Sequence, residues 1–144
     1  MDDIETLLAI RSIERLKARY FRCMDTKDWA GFEAVFTPDA VMDMQEEAGD
    51  LLRGASEIAA YVRTQVGAVE TVHHGHMPEI EITSATTATG VWAMEDRLRW
   101  PSGGPITSLH GWGHYHETYE RLDGEWKIAT LRLTRLRRDV VMAG

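Results

Sequence analysis

Three histidines, His73, His74 and His76, fall within four consecutive positions near the start of the segment Thr71–Ile82. Imidazole is the side chain whose unperturbed charge changes between about pH 5 and 8, so it suits general acid–base catalysis near neutral pH. Such a base works best beside a carboxylate, which fixes its tautomer and stabilises the imidazolium that forms. The chemistry therefore depends on which acid and which hydrogen-bond donor the fold brings to these histidines.

Asp96 is the first candidate acid, because of its position in a predicted strand. Side chains alternate across a β-strand, and the residues of Thr86–Trp100 that share a face with Asp96 are small or apolar. An acid among such neighbours needs a partner or a raised pKa, so we expect a functional role for Asp96, and one role open to it is that of a protonated acid that helps a hydroxide leave. The alternative is a rim position where the strand leaves the core. The other residues on this face are Ala88, Gly90, Trp92, Met94, Leu98 and Trp100.

Tyr20 and Asp25 lie towards the end of the first amphipathic segment. From Ile4 to Met24, apolar residues recur at helical spacing, which predicts a helix with Tyr20 on its apolar face. The polar run after Met24 predicts the end of this helix, so that Asp25 can fold back under it. A carboxylate at a helix C-terminus is unfavourable with the helix dipole, and a cation such as a histidinium would offset this. Spacing alone leaves open that Asp25 faces solvent.

Helical periodicity fills the first half of the chain, and two-residue periodicity fills the second half. Asp28 predicts the N-cap of a short second helix that reaches Phe36, and Ser56 predicts that of a third helix with Tyr61 and Val62 on its apolar face. Helices followed by antiparallel strands predict an α+β fold, in one domain covering residues 1–144. The predicted strands are Ala40–Met44, Thr71–Thr83, Thr86–Trp100, Ile106–Leu122 and Glu125–Arg138, with a turn at 45–50 and a hairpin turn at Asp123 and Gly124.

The first long strand carries a conflict in its alternation. If it were unbroken, His74 would share the core-facing side with Ile80, and His73 would point to the surface. Glycine and proline mark breaks in strands, and bulges re-aim side chains beside active sites. We therefore predict a bulge near Gly75–Pro78 that turns His73 towards the same interior as Ile80.

Composition excludes several classes of partner. The chain has 144 residues and a net charge of −7, which argues against nucleic acid as a partner. Its one cysteine, Cys23, cannot form an internal disulfide, and no segment is typical of a signal peptide or a membrane span. We therefore expect a cytoplasmic protein with no membrane partner. A basic cluster late in the chain is expected to be a solvated or subunit-contact edge. It comprises Arg132, Arg135, Arg137 and Arg138.

Four segments together are similar to the SnoaL-like, scytalone dehydratase-related enzymes of the wider nuclear-transport-factor-2-like (NTF2-like) superfamily. The similarity is strongest to the bile acid 7α-dehydratase branch and covers nearly the whole chain. It implies a cone-shaped barrel in which the N-terminal helices pack inside a strongly curved, mainly antiparallel sheet. The segments are Lys17–Asp25, His73–Ile80, Thr86–Leu98 and Tyr119–Trp126.

The resemblance implies catalytic roles for Tyr20, Asp25, His73 and Asp96, all of which match the family in residue type. It implies elimination of water, without a cofactor or a metal, from a hydrophobic, cyclic, carbonyl-activated alcohol such as a steroid, a bile acid or a polyketide. It also implies a homo-oligomer, with a trimer favoured over a dimer. The expected substrate-binding residues are Trp92, Met94, His110 and Trp112.

Other interpretations stay open. The same pair of His73 and Asp25 would serve an isomerase, a cyclase or a dehydrohalogenase. A non-catalytic binding module of the same shape would keep the pair for structure alone. The spacing of His114, His116 and Glu120 is that of a cupin's first metal-binding motif, on one face of a strand. Against a cupin, no histidine follows His116 in the chain.

Overall fold

The computed structural model describes residues 1–47 and 49–144. Within them, none of the helices combines the length and the apolar character needed to cross a bilayer. The helices are α1 (Asp3–Asp25), α2 (Trp29–Glu33) and α3 (Ala55–Val66), with a 3₁₀ turn at Gln45–Glu47. The strands are β1 (Phe36–Asp43), β2 (Leu51–Arg53), β3 (Glu70–Ile82), β4 (Thr87–Arg99), β5 (Ile106–Leu122) and β6 (Glu125–Met142).

The long helix α1 forms because its start is capped and one of its faces is apolar. Asp2 accepts a hydrogen bond from the Glu5 backbone N–H at 2.8 Å, and Glu5 accepts one from the Asp2 N–H at 2.9 Å, which is a capping box. Ile13 and Leu16 on the buried face are both 0% exposed. The last helical residue is Asp25, so the helix places this carboxylate at its C-terminal end.

The strands form one six-stranded sheet in the order β2-β1-β6-β5-β4-β3. Neighbouring strands are antiparallel except β1 and β6, which run parallel. Alternate residues of β4 and β5, such as Met94 and Tyr115, are buried on the inner face of the sheet, where the helices pack. The residues between them, such as Glu95 and Trp112, lie on the outer face. The predicted α+β arrangement with a mainly antiparallel sheet is confirmed.

A bulge in β3 re-aims its side chains. The register of β3 against β4 shifts between Gly75 and Pro78. Before the shift His73 points inwards and is 8% exposed, and after it Ile80 packs against the same core. A Cβ on Gly75 would lie 2.6 Å from the ring of Phe21, so only glycine lets the strand approach α1 this closely. The bulge predicted from the sequence is confirmed.

Two helix boundaries differ from those predicted. The second helix ends at Glu33, and Phe36 begins β1, because Phe36 pairs with Ile128 of β6. The N-cap of α3 is Gly54 rather than Ser56, and within the described part of the chain no side chain caps the helix. Gly54 has φ 98°, a left-handed conformation that glycine adopts without steric cost. In both places a tertiary or backbone requirement overrides the local preference.

The strand boundaries also differ in part. The sequence does not predict the short strand β2, and β6 continues to Met142, which pairs with Ile106 of β5. Ala48, in the turn predicted at 45–50, lies outside the described residues. The predicted hairpin turn is confirmed, since Asp123 and Gly124 have φ values of 50° and 80° and two consecutive positive values are typical of a tight hairpin.

Candidate active site

His73 and Asp25 form a hydrogen-bonded pair where β3 passes the end of α1. Asp25 Oδ1 lies 2.7 Å from His73 Nδ1, and Asp25 Oδ2 accepts the His73 backbone N–H at 2.8 Å. The Thr71 hydroxyl donates to Asp25 Oδ1 at 2.9 Å. The two side chains expected to meet are therefore in contact, whereas their catalytic roles stay a prediction.

These hydrogen bonds decide the charge of Asp25 and the tautomer of His73. Burial raises the pKa of Asp25, but the hydrogen bonds from His73 and Thr71 outweigh it and hold this pKa below its usual value. An ionised carboxylate only accepts hydrogen bonds, so neutral His73 carries its proton on Nδ1 and has a free lone pair on Nε2. Nε2 lies 3.9 Å from Asp96 Oδ2, which is beyond hydrogen-bond distance.

Asp96 is 3% exposed and is paired with Arg135 of β6. Arg135 donates to Asp96 Oδ1 at 2.7 Å and to Oδ2 at 2.9 Å, and it also donates to Glu47 at 2.6 Å. Burial lowers the pKa of Arg135, but the two carboxylates outweigh it and raise this pKa above its usual value. Arg135 is therefore the partner that an acid in this apolar setting requires, held by two parallel hydrogen bonds, and a catalytic role for Asp96 stays a prediction.

Sequence reasoning misses Arg135 because it treats the late arginines as one solvated cluster. Alternation along β6 supplies the signal that finds it. Leu131 and Leu133 are 1% and 4% exposed, and Arg135 is the next residue on their face. Gly111 makes room for this arginine, since a Cβ there would lie 2.5 Å from Asp96 Oδ1 and would collide with the guanidinium.

Tyr20 lies on the buried face of α1 and is 3% exposed. Its ring meets that of Tyr115 edge-on at a centroid distance of 5.8 Å, and Lys17 Nζ lies 3.5 Å from its centroid. Burial and the charge of Glu117 raise the pKa of Tyr20 far above its usual value, against a hydrogen bond with Tyr115. The phenol therefore stays protonated at neutral pH and is able to donate a hydrogen bond.

A cavity of about 230 Å³ brings these groups together. His73 lines this cavity and Asp25 does not, so the free Nε2 is the nitrogen on the cavity side. An apolar cavity with a few convergent polar groups is the usual form of a small-molecule site. The polar side chains in its wall are Tyr20, Glu47, Gln65, His73, Asp96, Tyr115 and Arg135. The apolar side chains include Met24, Met42, Tyr61, Val62, Leu98, Trp100 and Leu133.

The four residues expected to bind substrate do not line this cavity, and their role stays a prediction. Trp92 and Met94 are 6% and 2% exposed in the core, where the Trp92 indole donates to Tyr119. His110 and Trp112 lie on the outer face of the sheet with ring centroids 4.0 Å apart. The apolar face of α3, already apparent in the sequence, supplies part of the wall instead.

The remaining histidines lie away from the cavity. His74 and His76 are exposed on β3. His114 and His116 are on the outer face of β5, where His116 Nε2 lies 3.0 Å from Thr134 Oγ1. Across residues 1–47 and 49–144, no three His, Cys, Asp or Glu side chains converge as metal ligands do. The cupin-like spacing therefore does not bring three ligands together in this part of the chain.

A second ion pair lies outside the cavity wall. Lys17 Nζ is 2.6 Å from Glu117 Oε2, and both side chains are 0% exposed. Glu117 Oε1 also accepts a hydrogen bond from the Tyr119 hydroxyl at 2.6 Å. The Tyr119 hydroxyl oxygen in turn accepts one from the Trp92 indole N–H at 2.9 Å. Burial lowers the pKa of Lys17 to about 8, against the attraction of Glu117. We call Lys17, Glu117, Tyr119 and Trp92 together the sealed network, because they are buried in the core. Its only sequence signal is a lysine three positions before Tyr20 on the same helix face.

The similarity of the chain to a known family agrees with this fold. Residues 5–132 match the SnoaL-like domain. The chain belongs to the SnoaL-like family. A hexachlorocyclohexane dehydrochlorinase of type 2 superposes with a TM-score of 0.86 at 21% identity, covering 99% of this chain and 95% of that one. The expected NTF2-like cone with N-terminal helices inside a curved sheet is thereby confirmed.

Two other proteins extend the comparison. A structure from Novosphingobium aromaticivorans, provisionally assigned as a scytalone dehydratase, superposes with a TM-score of 0.86 at 20% identity, covering 99% of this chain and 94% of that one. A probable cyclase of Gibberella zeae is 24% identical over 133 residues, which cover 86% of this chain and 89% of that protein. Proteins named as a dehydrochlorinase, a scytalone dehydratase and a cyclase are thus similar in fold or in sequence to this SnoaL-like chain.

Proposed function

We propose that this SnoaL-like protein is a cofactor-independent dehydratase that acts on a hydrophobic, ring-bearing alcohol activated by a carbonyl group. The observation that supports this most directly is the His73–Asp25 pair, 2.7 Å apart, with His73 in the wall of an apolar cavity. The carboxylate keeps Nε2 free on the cavity side, as a general base requires.

In this scheme, His73 Nε2 accepts a proton from the carbon next to the substrate carbonyl. The electrons of the broken C–H bond form an enolate, which collapses to a C=C bond as the C–O bond to the hydroxyl group breaks. The imidazolium returns its proton to the departing hydroxide, so that water leaves and His73 is neutral again. Asp25 stabilises the transient imidazolium, and base catalysis of this kind is worth ~10²–10⁴-fold.

Tyr20 and Arg135 are the candidates for stabilising the enolate oxygen. Tyr20 is a neutral donor in the cavity wall, and Arg135 adds a fixed positive charge there. One preorganised donor is worth about 3 kcal/mol of transition-state stabilisation. Asp96 then acts as a positioning residue, because its two hydrogen bonds with Arg135 orient the guanidinium.

The cavity restricts the class of substrate. Its volume is about 230 Å³, below the roughly 300–1,000 Å³ of sites that enclose drug-sized ligands. Methionine, leucine and tryptophan side chains in its wall suit a ring, and they offer few partners for polar substituents. We therefore expect the reacting ring of a steroid, a bile acid or a polyketide to enter, with any larger ring system extending beyond the cavity.

The test is an elimination assay on hydroxylated steroid enones and cyclic β-hydroxyketones, followed by mass spectrometry for the loss of water. His73→Ala should lower kcat/KM by ~10²–10⁴-fold, and Tyr20→Phe by about 10²-fold. His74→Ala is the matched control, because this neighbour is exposed on the same strand and should leave activity unchanged. Full activity in His73→Ala would contradict the assignment of His73 as the general base.

A dehydrohalogenase is the second candidate, since a hexachlorocyclohexane dehydrochlorinase shares the fold. The same base would take the proton, and a halide would leave without needing a proton in return. Chloride release from chlorinated cyclohexanes, absent in His73→Ala, would favour this candidate. An isomerase or a cyclase that rearranges its substrate would convert it without loss of mass. A binding module would show no turnover, and removal of the pair would change only its stability.

We also propose that the protein is a homo-oligomer, a trimer rather than a dimer, built through the outer face of the sheet. Trp112 lies on that face, and Leu136 and Val141 late in β6 are apolar yet 75% and 55% exposed. Light scattering at micromolar concentration should give the mass of three chains, and Leu136→Glu should lower it. A monomeric wild type would contradict the proposal.

A further inference from the structure

Lys27 has a backbone conformation that its residue type disfavours. It follows Thr26, the C-cap of α1, and it has φ 63°. Helices commonly end with a left-handed residue at this position, which is usually glycine because a Cβ is strained there. A non-glycine residue held in this region is a signal that its side chain has a role.

The Lys27 side chain is connected to the candidate base. Its Nζ donates to Thr71 Oγ1 at 3.0 Å, and the Thr71 hydroxyl donates to Asp25 Oδ1 at 2.9 Å. Asp25 Oδ1 is the atom that lies 2.7 Å from His73 Nδ1. A glycine at position 27 would relieve the backbone and would lose this chain of hydrogen bonds.

We propose that Lys27 is a positioning residue which, through Thr71, orients Asp25 and lowers the proton affinity of the His73–Asp25 pair. The consequence for activity rests on the proposed function, whereas the effect on the imidazole does not. A carboxylate partner favours the imidazolium, and an imidazolium cannot act as a base. The Lys27 ammonium offsets this, because it attracts the Asp25 carboxylate and repels a charged imidazole.

No other lysine among the described residues has this placement. Lys17 is held by Glu117 in the sealed network, and Lys127 donates to the Ala34 carbonyl oxygen. Burial lowers the pKa of Lys27, and the charge of Asp25 opposes this. The charged or titratable groups around His73 are Asp25 and Lys27 at the end of α1, Tyr20 in α1, Glu47, Asp96 in β4, Tyr115 in β5 and Arg135 in β6.

The direct test is a pH titration of the imidazole signals by NMR, without substrate. The chain has six histidines, and the signals missing in His73→Asn identify those of His73. In Lys27→Met the titration midpoint of His73 should move up by about 0.5 pH, the scale of one partly screened charge. In Lys27→Arg, which keeps the charge, the midpoint should stay at the wild-type value.

Lys27→Gly separates the charge from the backbone. It should shift the His73 midpoint as far as Lys27→Met does, yet it should unfold at a higher temperature than Lys27→Met, because glycine suits φ 63°. If Lys27 served the structure alone, Lys27→Gly would not combine a higher unfolding temperature with a shifted titration midpoint of His73.

Thr71→Val tests whether Lys27 acts on Asp25 through the Thr71 hydroxyl, since this variant removes the bridging hydroxyl and keeps the shape of the side chain. On this background, Lys27→Met should move the His73 midpoint less than it does in the wild type. An undiminished shift would show that Lys27 acts independently of Thr71 and would overturn the proposed route. An unchanged midpoint in Lys27→Met itself would overturn the whole proposal.

Enzyme kinetics distinguish the proposed role of Lys27 from the proposed dehydratase activity. If the protein is a dehydratase, the acid limb of kcat/KM against pH should move with the NMR midpoint, so Lys27→Met should lose activity mainly at low pH. Turnover with an unmoved midpoint would overturn the role of Lys27 and leave the dehydratase standing. A moved midpoint in a protein that eliminates nothing would leave the role of Lys27 standing and remove the dehydratase.

Discussion

Two buried ionic networks lie on the inner face of the same sheet and differ in what surrounds them. In the sealed network, the Lys17 and Glu117 side chains are 0% exposed and 2.6 Å apart. The cavity network consists of His73, Asp25, Asp96 and Arg135. There the Asp25 and Arg135 side chains are 21% and 13% exposed, and His73, Asp96 and Arg135 border an open volume.

The difference shows what distinguishes a structural ion pair from a candidate site. Each Glu117 oxygen has a partner, Lys17 or Tyr119, and the side chain is 0% exposed, so a ligand does not reach this carboxylate. In the cavity network, His73 Nε2 has no hydrogen-bond partner among residues 1–47 and 49–144, and His73 borders space that a substrate can fill. Burial and ionic pairing are common to the two networks. Only the cavity network, among the described residues, places a basic nitrogen without a hydrogen bond beside a cavity.

Breaking the sealed network should have the largest effect on stability. Lys17→Met leaves Glu117 as an uncompensated buried charge, and the free energy of unfolding should fall by about 3–5 kcal/mol in urea titrations. Adding Glu117→Gln should restore most of the loss, since the amide keeps an acceptor for Tyr119 and carries no charge. An equal loss in the double variant would show that packing, rather than the unpaired charge, is responsible.

Crowding the cavity network should have a smaller effect on stability and a clear effect on chemistry. Gly111→Ala places a methyl group against Asp96 and Arg135, and overpacking of this kind costs about 1–3 kcal/mol. Because the guanidinium must move, kcat/KM should fall more than stability alone explains. Gly104→Ala is the matched control, since a Cβ there meets nothing within 4 Å. Equal behaviour of the two variants would contradict the positioning role of Asp96.

The smallest expected effect is the pH dependence of stability that Asp25 contributes. Its pKa in the folded protein lies below the ordinary value of 3.8, so the unfolded chain binds the proton first as pH falls. The stabilising contribution is therefore present above about pH 3.8 and is lost as pH falls through the folded pKa. Urea titrations between pH 3 and pH 6 should show a weaker acid dependence in Asp25→Asn. An unchanged dependence would mean that other carboxylates dominate.

Local periodicity predicts much of this fold. The apolar spacing of α1, the alternation in β4 and β5, the turn at Asp123 and Gly124 and the bulge near Gly75–Pro78 follow from residue types within a few positions of each other. The bulge also predicts that His73 points inwards. The contact of His73 with Asp25 depends on where α1 ends beside β3, which the sequence suggests and the tertiary structure decides.

The sequence by itself determines the α+β fold, the inward direction of His73 and the apolar faces that form the core, because these depend on the periods of helix and strand. Only the tertiary structure decides which charges meet across elements. Arg135 reaches Asp96 across β5, where Gly111 provides the space, and Lys17 meets Glu117 across the core. The order and register of the strands set these pairs, as they set the cavity wall, so no local pattern contains them.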